Sequence, residues 1–419
     1  MNASSADDIV ITGLGVVSPI GTGRAAFTEG LFSGRNGAGI VDFYPTEGWR
    51  SRICCRVRDF SPEAYMGPKS ARRMDRTGHF AVAAARLALA DAGYDPNTMG
   101  QDAAASERIA VVTGTCAPME WIWTAHEACF TRGPRHVPPT TVLATFPDAG
   151  AARISMELGL KGPSQTLSTA CASGADALGH AWLLLRAGLC DVAIAGGVEA
   201  PIVPSAMIAF GQTRALSERN ETPLQASRPF AFRRDGFVMG EGAGLLVLER
   251  RGAAEARGAT VRAVLAGYAA TTDAYHMTAP EPDGAQRLRA LHEALARAGM
   301  RPDDLDAVLA HGTGTPQNDE NETRVLRSLL GARADAVPVP ALKSMVGHGL
   351  GAAAGLSAAA AVICLEHQRL HPTINLETRD PECDLDHVTE GARDMPLRAV
   401  LVPAFGFGGK NAALVLRSA

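Results

Sequence analysis

The same order of elements occurs twice in this 419-residue chain: an apolar strand, a helix rich in small residues, and a second apolar strand. In the first copy, Arg108-Ile-Ala-Val-Val-Thr-Gly-Thr115 is a β-run ending in a turn. Leu167-Ser-Thr-Ala-Cys-Ala-Ser-Gly174 then opens an Ala-rich helix, and Cys190-Asp-Val-Ala-Ile-Ala-Gly-Gly197 has a buried-strand pattern. The second copy reads Asp306-Ala-Val-Leu-Ala-His-Gly-Thr313, Leu342-Lys-Ser-Met-Val-Gly-His-Gly349 and Arg398-Ala-Val-Leu-Val-Pro-Ala-Phe405. Such self-similarity predicts a duplicated α/β fold, with one half at 1–257 and the other at 258–419. Short, continuous apolar strands separated by helices predict largely parallel sheets covered on both faces. The layers then run helix, sheet, helix, sheet, helix, and the central helices are those opening at Cys171 and near His348.

Other helices are predicted over Phe80 to Ala92 and Arg287 to Ala298, each stopped by a glycine. The Ala-rich stretch from Ala352 to Leu365 reads as a buried helix, too short for a membrane span. Thr213 to Gly236, with its charges, Pro223 and Pro229, reads as a long loop at the mouth of a site. With 46% hydrophobic and 20% charged residues and a net charge of −4, the chain has the composition of a soluble enzyme, and nothing in it points to nucleic acid. Met1 to Asp8 reads as neither signal nor transit peptide. The eight cysteines include no CxxC pair, which favours free thiols in a reducing cytoplasm.

Cys171 carries the sharpest chemical signal. It lies between Ala170 and Ala172 where a strand turns into a helix, so the unpaired N–H groups of the helix start are expected to favour its thiolate. A packed core cysteine is the commoner fate of this residue type. Two histidines in the matching half shift the balance: His311 in His-Gly-Thr-Gly-Thr-Pro and His348 in Lys343-Ser-Met-Val-Gly-His-Gly, each beside glycine.

These motifs, in this order, resemble the elongating β-ketoacyl-[acyl-carrier-protein] synthases. So do Arg228-Pro-Phe, Arg234-Asp-Gly-Phe-Val-Met-Gly-Glu-Gly-Ala-Gly244, Asp273-Ala-Tyr-His-Met-Thr278 and Phe405-Gly-Phe-Gly-Gly409. The resemblance spans nearly the whole chain and implies a thiolase-like, five-layered αβαβα sandwich. It implies that Cys171 accepts an acyl chain and that His311 and His348 promote decarboxylation of a malonyl thioester. Lys343 and Glu322 match a supporting ion pair. Cys171 and Phe405 match the N–H donors of an oxyanion hole, and Phe405 and Phe407 with their glycines match a gate. Thr313 and Thr315 match pantetheine contacts, and Ala117 matches a position lining the acyl tunnel, where one methyl would leave the tunnel open. Lys69, Arg72, Arg73 and Arg135 match basic sites that meet an acidic acyl carrier protein; a solvated helix face is the alternative for such a cluster. No metal or organic cofactor is implied, since substrates ride on the carrier's phosphopantetheine. The partners implied are the carrier protein and either a second copy of the chain or a chain-length-factor subunit, with no membrane.

Rival readings fit less well. A thiolase would place a second cysteine in the last glycine loop, a starter-type synthase an asparagine at one histidine, and a non-catalytic chain-length factor would lack Cys171. His-Gly-Thr-Gly-Thr-Pro-Gln-Asn-Asp stands between fatty-acid and polyketide forms and leans towards the latter. Gly13-Leu-Gly15 begins like a dinucleotide turn, but Ser18-Pro19 occupies the place of the third glycine. His367 and His371 have helical spacing, but Pro372 ends the run, which argues against a metal pair.

Overall fold

The N-terminal half runs through β1 (Ile9–Ser18), α1 (Arg76–Asp91), β2 (Ile109–Gly114), α2 (Met119–Arg132), α3 (Ala149–Leu158), β3 (Ser164–Leu167), α4 (Ser173–Arg186), β4 (Val192–Glu199) and β5 (Gly242–Arg250). The C-terminal half follows with β6 (Ala263–Thr272), α5 (Ala285–Arg297), β7 (Ala307–Val308), α6 (Pro316–Leu330), α7 (Ala353–His367), β8 (Ala399–Gly406) and β9 (Lys410–Ser418). This computed structural model describes residues 5–117 and 119–419. Strand order is β3-β2-β4-β5-β1 in the first half and β7-β8-β9-β6 in the second. Superposing β2 on β7, β4 on β8, β5 on β9 and β1 on β6 matches both order and direction. The first pair is parallel and the next two antiparallel in each half. The sheets meet edge to edge where β1 and β6 pair over Val10↔Val264 and Ile11↔Ala263.

Most pairings are thus antiparallel, which corrects the expectation of largely parallel sheets. Continuous apolar strands report only that both faces are covered. In β8, Val400, Val402 and Ala404 enter one core while Ala399, Leu401 and Phe405 enter another. The strand predicted over Asp306 to Thr313 pairs as a ladder only at Ala307–Val308. Its outer neighbour explains this. The carbonyls of Pro338 and Pro340 accept from the Val308 and Ala310 N–H groups, but prolines have no N–H to return. This Pro-Val-Pro segment stands where β3 stands in the other half.

Three hydrophobic cores follow the layers. The central one holds α4 and α7 between the sheets, with Leu178, Leu185, Val362 and Leu365 facing Leu246 and Val402. A second packs α1 and α3 outside the first sheet, and a third packs α5 and α6 outside the other. Leu350–His367 is long and apolar enough to cross a membrane, yet 89% of it is buried inside the fold, as a core helix would be.

The duplication reaches single residues. Each half has a bulge at the same point, between Ile11 and Gly13 in β1 and between Leu265 and Gly267 in β6. A Cβ on Gly13 would lie 2.1 Å from the Ala88 carbonyl oxygen of α1, and one on Gly267 2.2 Å from that of Ala294 on α5. Gly13-Leu-Gly15 is therefore a seat for a helix within a strand, not a phosphate-binding turn.

Candidate active site

Cys171 stands two residues before α4, on a bend that the chain holds tightly. Ala170 adopts a left-handed φ of 52°, which a non-glycine residue keeps only when its surroundings compel it. Ser173 supplies that compulsion: its Oγ accepts from the Thr169 N–H at 2.8 Å and donates to the Ala170 carbonyl at 2.6 Å. Thr169 is tied in turn to Asp176, which also accepts from the Tyr268 hydroxyl.

The histidines arrive from the other half. The His348 N–H donates to the Val238 carbonyl and its own carbonyl accepts from the Gly240 N–H, fixing the residue to the loop before β5. Its Nε2 lies 3.1 Å from Cys171 Sγ, and its Nδ1 accepts from the Leu350 N–H at 3.3 Å. The His311 ring stands perpendicular to that of His348 with centroids 5.5 Å apart. Lys343 Nζ lies 3.4 Å from His311 Nδ1 and donates to the His311 carbonyl. A backbone or ammonium donor at each Nδ1 leaves the proton on each Nε2. Burial first, then the Lys343 charge, holds both imidazoles well below their usual range, so they are neutral at pH 7.

Four expectations change at this point. Lys343 and Glu322 form no direct ion pair. Glu322 accepts from the His311 and Gly312 N–H groups at 2.6 and 2.8 Å, so the two side chains grip opposite sides of one backbone segment. The Cys171 thiol is not held as a thiolate: burial pushes it up to about 11, outweighing the opposing pull of Lys343 and of backbone N–H groups. Among those N–H groups is that of Phe407, and not that of Phe405, the residue expected to act with Cys171. Phe405 lies inside β8 opposite Asn411, its buried ring against His311, whereas Phe407 is the first residue past the strand. Ala117 is not on the cavity wall; Cys116 and Met119 are. Buried Glu199 sets that phase by accepting from Thr115 Oγ1 and the Cys116 and Ala117 N–H groups.

The cavity over Cys171 measures about 560 Å³. Its wall is apolar around Met119, Phe210, Phe237 and Leu350, which cluster with Cys171. It is polar around Thr313 and Thr315, whose hydroxyls are 2.9 Å apart, and around Gln317 and Asn318. The predicted mouth loop contributes Thr213, Arg214 and Gly236, and buried Arg234 anchors it through Asp319, Glu320 and Asp380. Lys69, Arg72 and Arg73 are exposed on and just after the short helix Pro68–Ala71, and Arg135 is exposed elsewhere. His371 is buried with Nδ1 at the Pro372 carbonyl, and His367 packs edge-on to Phe32, so neither ring faces the other as a ligand would. Glu199, Arg287 and the Leu350 N–H were not singled out from sequence. Glu199 left one trace, a charge among apolar chain neighbours that are all buried, and Arg287 another, a charge in line with the buried Ala290, Leu291 and Ala294.

A cysteine held against one neutral imidazole with a second beside it, on a duplicated thiolase-like sandwich, defines a condensing acyltransferase. Residues 6–254 match the family model for the beta-ketoacyl synthase N-terminal domain, and residues 262–377 match that for its C-terminal domain. The chain is 40% identical over 410 residues to 3-oxoacyl-[acyl-carrier-protein] synthase 2 of Synechocystis sp., covering 98% of this chain and 97% of that one. The Staphylococcus aureus protein of the same name is also 40% identical, with 98% of each covered. Among solved structures, a type II polyketide ketosynthase in complex with its acyl-carrier protein and bound to the hexaketide gives a TM-score of 0.89 at 33% identity, covering 99% and 100% of the two chains. The ishigamide ketosynthase/chain length factor gives 0.90 at 36%, covering 99% of each. The chain belongs to the β-ketoacyl synthase family.

Proposed function

We propose that the chain extends an acyl group held on Cys171 by decarboxylative condensation with malonyl carried on an acyl carrier protein, in fatty-acid or polyketide synthesis. The observation that carries this reading is the meeting of Cys171 Sγ and His348 Nε2 at 3.1 Å, with His311 alongside. In the first half-reaction sulfur attacks the acyl thioester, and the proton it gives up ends on the departing carrier sulfur. The Cys171 and Phe407 N–H groups stabilise the oxyanion, and the carrier thiol leaves. In the second, the Nε2–H groups of His311 and His348 donate to the malonyl thioester oxygen. The C–C bond to the carboxylate breaks, carbon dioxide leaves, and the electron pair becomes an enolate held by those donors. Its carbon attacks the acyl-Cys171 carbonyl and expels the thiolate. Neutral imidazoles suit this role, because each brings a donor whatever the charge of the incoming group. Nothing in these steps calls for a metal or a resident organic cofactor.

Lys69, Arg72, Arg73 and Arg135 form the docking site for the carrier in this reading, and Thr313 and Thr315 receive its pantetheine arm. A second subunit, either another copy or a chain-length factor, covers the edge strand β3 and the exposed Ile122, Phe130, Val142 and Phe146; the unpaired strand edge and the apolar side chains support this. The eight free cysteines fit the cytoplasm. The test separates the half-reactions. Cys171→Gln should abolish acyl loading and condensation yet leave malonyl decarboxylation measurable, whereas His348→Ala should remove decarboxylation with some acylation retained. Condensation by Cys171→Ala at the wild-type rate would sink the reading.

A further inference from the structure

Arg287 enters the cavity wall from the first turn of α5 and is only 5% exposed. A guanidinium has five N–H donors. Here one hydrogen bond is made, from Nη1 to Asn318 Oδ1 at 3.1 Å, and Nε has no partner. Its carbon sits 4.3 Å over the Phe405 ring, which steers the plane without satisfying a donor. The nearest carboxylates are spent elsewhere. Glu322 serves the His311 and Gly312 N–H groups and Asn318. Asp273 serves Asn411 and the Glu281 N–H, and Asp319 serves Arg234 and the Phe230 N–H. A buried cation with idle donors is costly unless a ligand completes it.

We infer that Arg287, held by Asn318 and Phe405, is the specificity-determining contact for the carboxylate of the extender unit. The inference rests on the condensation reading, because a malonyl group is the anion that reaction delivers beside His311. Phe405 packs on both groups, so the guanidinium and the His311 ring share one support. The contact serves binding and not the bond-breaking step. An ion pair to the carboxylate stabilises the ground state and is lost as carbon dioxide forms, so it lowers KM without raising kcat.

Arg287→Met keeps the aliphatic stem and removes the charge, and Arg287→Lys restores a charge without the fork. The probes are the amide analogues of malonyl- and acetyl-pantetheine, which cannot acylate Cys171. Arg287→Met should weaken the malonyl analogue about 10- to 100-fold, the size of a lost charge-assisted hydrogen bond, and shift the acetyl analogue less than about twofold. Arg287→Lys should recover part of the loss. In turnover, KM for malonyl thioester should rise with kcat at or above the wild-type value. Equal weakening of both analogues, or a fall in kcat at unchanged KM, would show a brace for Phe405 and overturn the inference. Failure of wild-type Cys171 to accept any acyl group would sink the condensation reading instead, and the two-analogue comparison would still decide the role of Arg287.

Discussion

Two opposing effects meet at the Cys171 sulfur. Burial raises the thiol to about 11, while the Lys343 charge and the Phe407 N–H pull it down without prevailing. The thiolate is the nucleophile, so the sulfur reacts in proportion to a small ionised fraction at neutral pH. The rate of alkylation by iodoacetamide should therefore climb about tenfold per pH unit from 7 to 9, with no plateau near neutrality. Lys343→Ala, by removing the cation, should slow alkylation at a fixed pH below 9. A plateau below pH 8 would mean that the thiol is far more acidic than its surroundings dictate. Lys343 has a second duty, since its contact at His311 Nδ1 sets that ring's tautomer. The same variant should therefore also lower malonyl decarboxylation, which a purely electrostatic role at sulfur would leave alone.

Among the elements, the seats of α1 on β1 and α5 on β6 are the clearest products of the duplication. Placing a methyl where Gly13 or Gly267 meets a helix carbonyl overfills a rigid contact. Gly13→Ala and Gly267→Ala should each cost about 1–3 kcal/mol in urea unfolding, and by similar amounts. A neutral result at either position would mean that the helix can lift without loss. The order of strands and central helices was legible in the sequence because it rests on composition: small residues where helices cross sheets, unbroken apolar runs where both faces are covered. The nucleophile and the histidines were legible as motifs for a related reason, since glycine and alanine must surround groups that a substrate approaches. What escaped depends on phase, on which of two neighbours points where. Phe405 and Phe407 differ by one strand period, and the end of β8 between them decides which offers its N–H to sulfur. Cys116 and Ala117 differ by one residue, and the grip of Glu199 decides which lines the cavity. Strand direction also escaped, because burial on both faces hides it. Arg287 was readable only as an oddity, an arginine in line with Ala290, Leu291 and Ala294 on the buried face of α5.

For the whole molecule, charge and burial predict two measurable responses. Cys54 and Cys364 are pushed up to about 12 by burial. A thiol whose folded value lies above its unfolded one contributes stability that is complete below the unfolded value, about 8.5, and is lost as pH rises towards the folded one. The urea midpoint should thus fall steadily between about pH 9 and 11, and Cys54→Ala should flatten that slope; an unchanged slope would remove this thiol from the account. The second response is at the surface. With a net charge of −4 on the chain, the exposed Lys69, Arg72 and Arg73 form a local exception. Arg72→Glu with Arg73→Glu should raise KM for acyl carrier substrates, more so as salt is lowered, while KM for acyl-pantetheine stays put. An unchanged KM for the carrier substrate would move the dock elsewhere.

Strand β1 is buried along its whole length, and its side-chain partner Glu249 on β5 lies 237 residues downstream of Thr12. During synthesis at about 5–20 residues per second, this apolar strand leaves the ribosome roughly 10–50 s before the strand that covers its edge exists. For that interval Ile9, Val10, Ile11, Leu14, Val16 and Val17 are an open template for any passing strand. Yield in a cell should therefore rise when a holding chaperone is supplied to shelter this ten-residue strand, and an unchanged yield would mean that the nascent chain shelters the strand by itself.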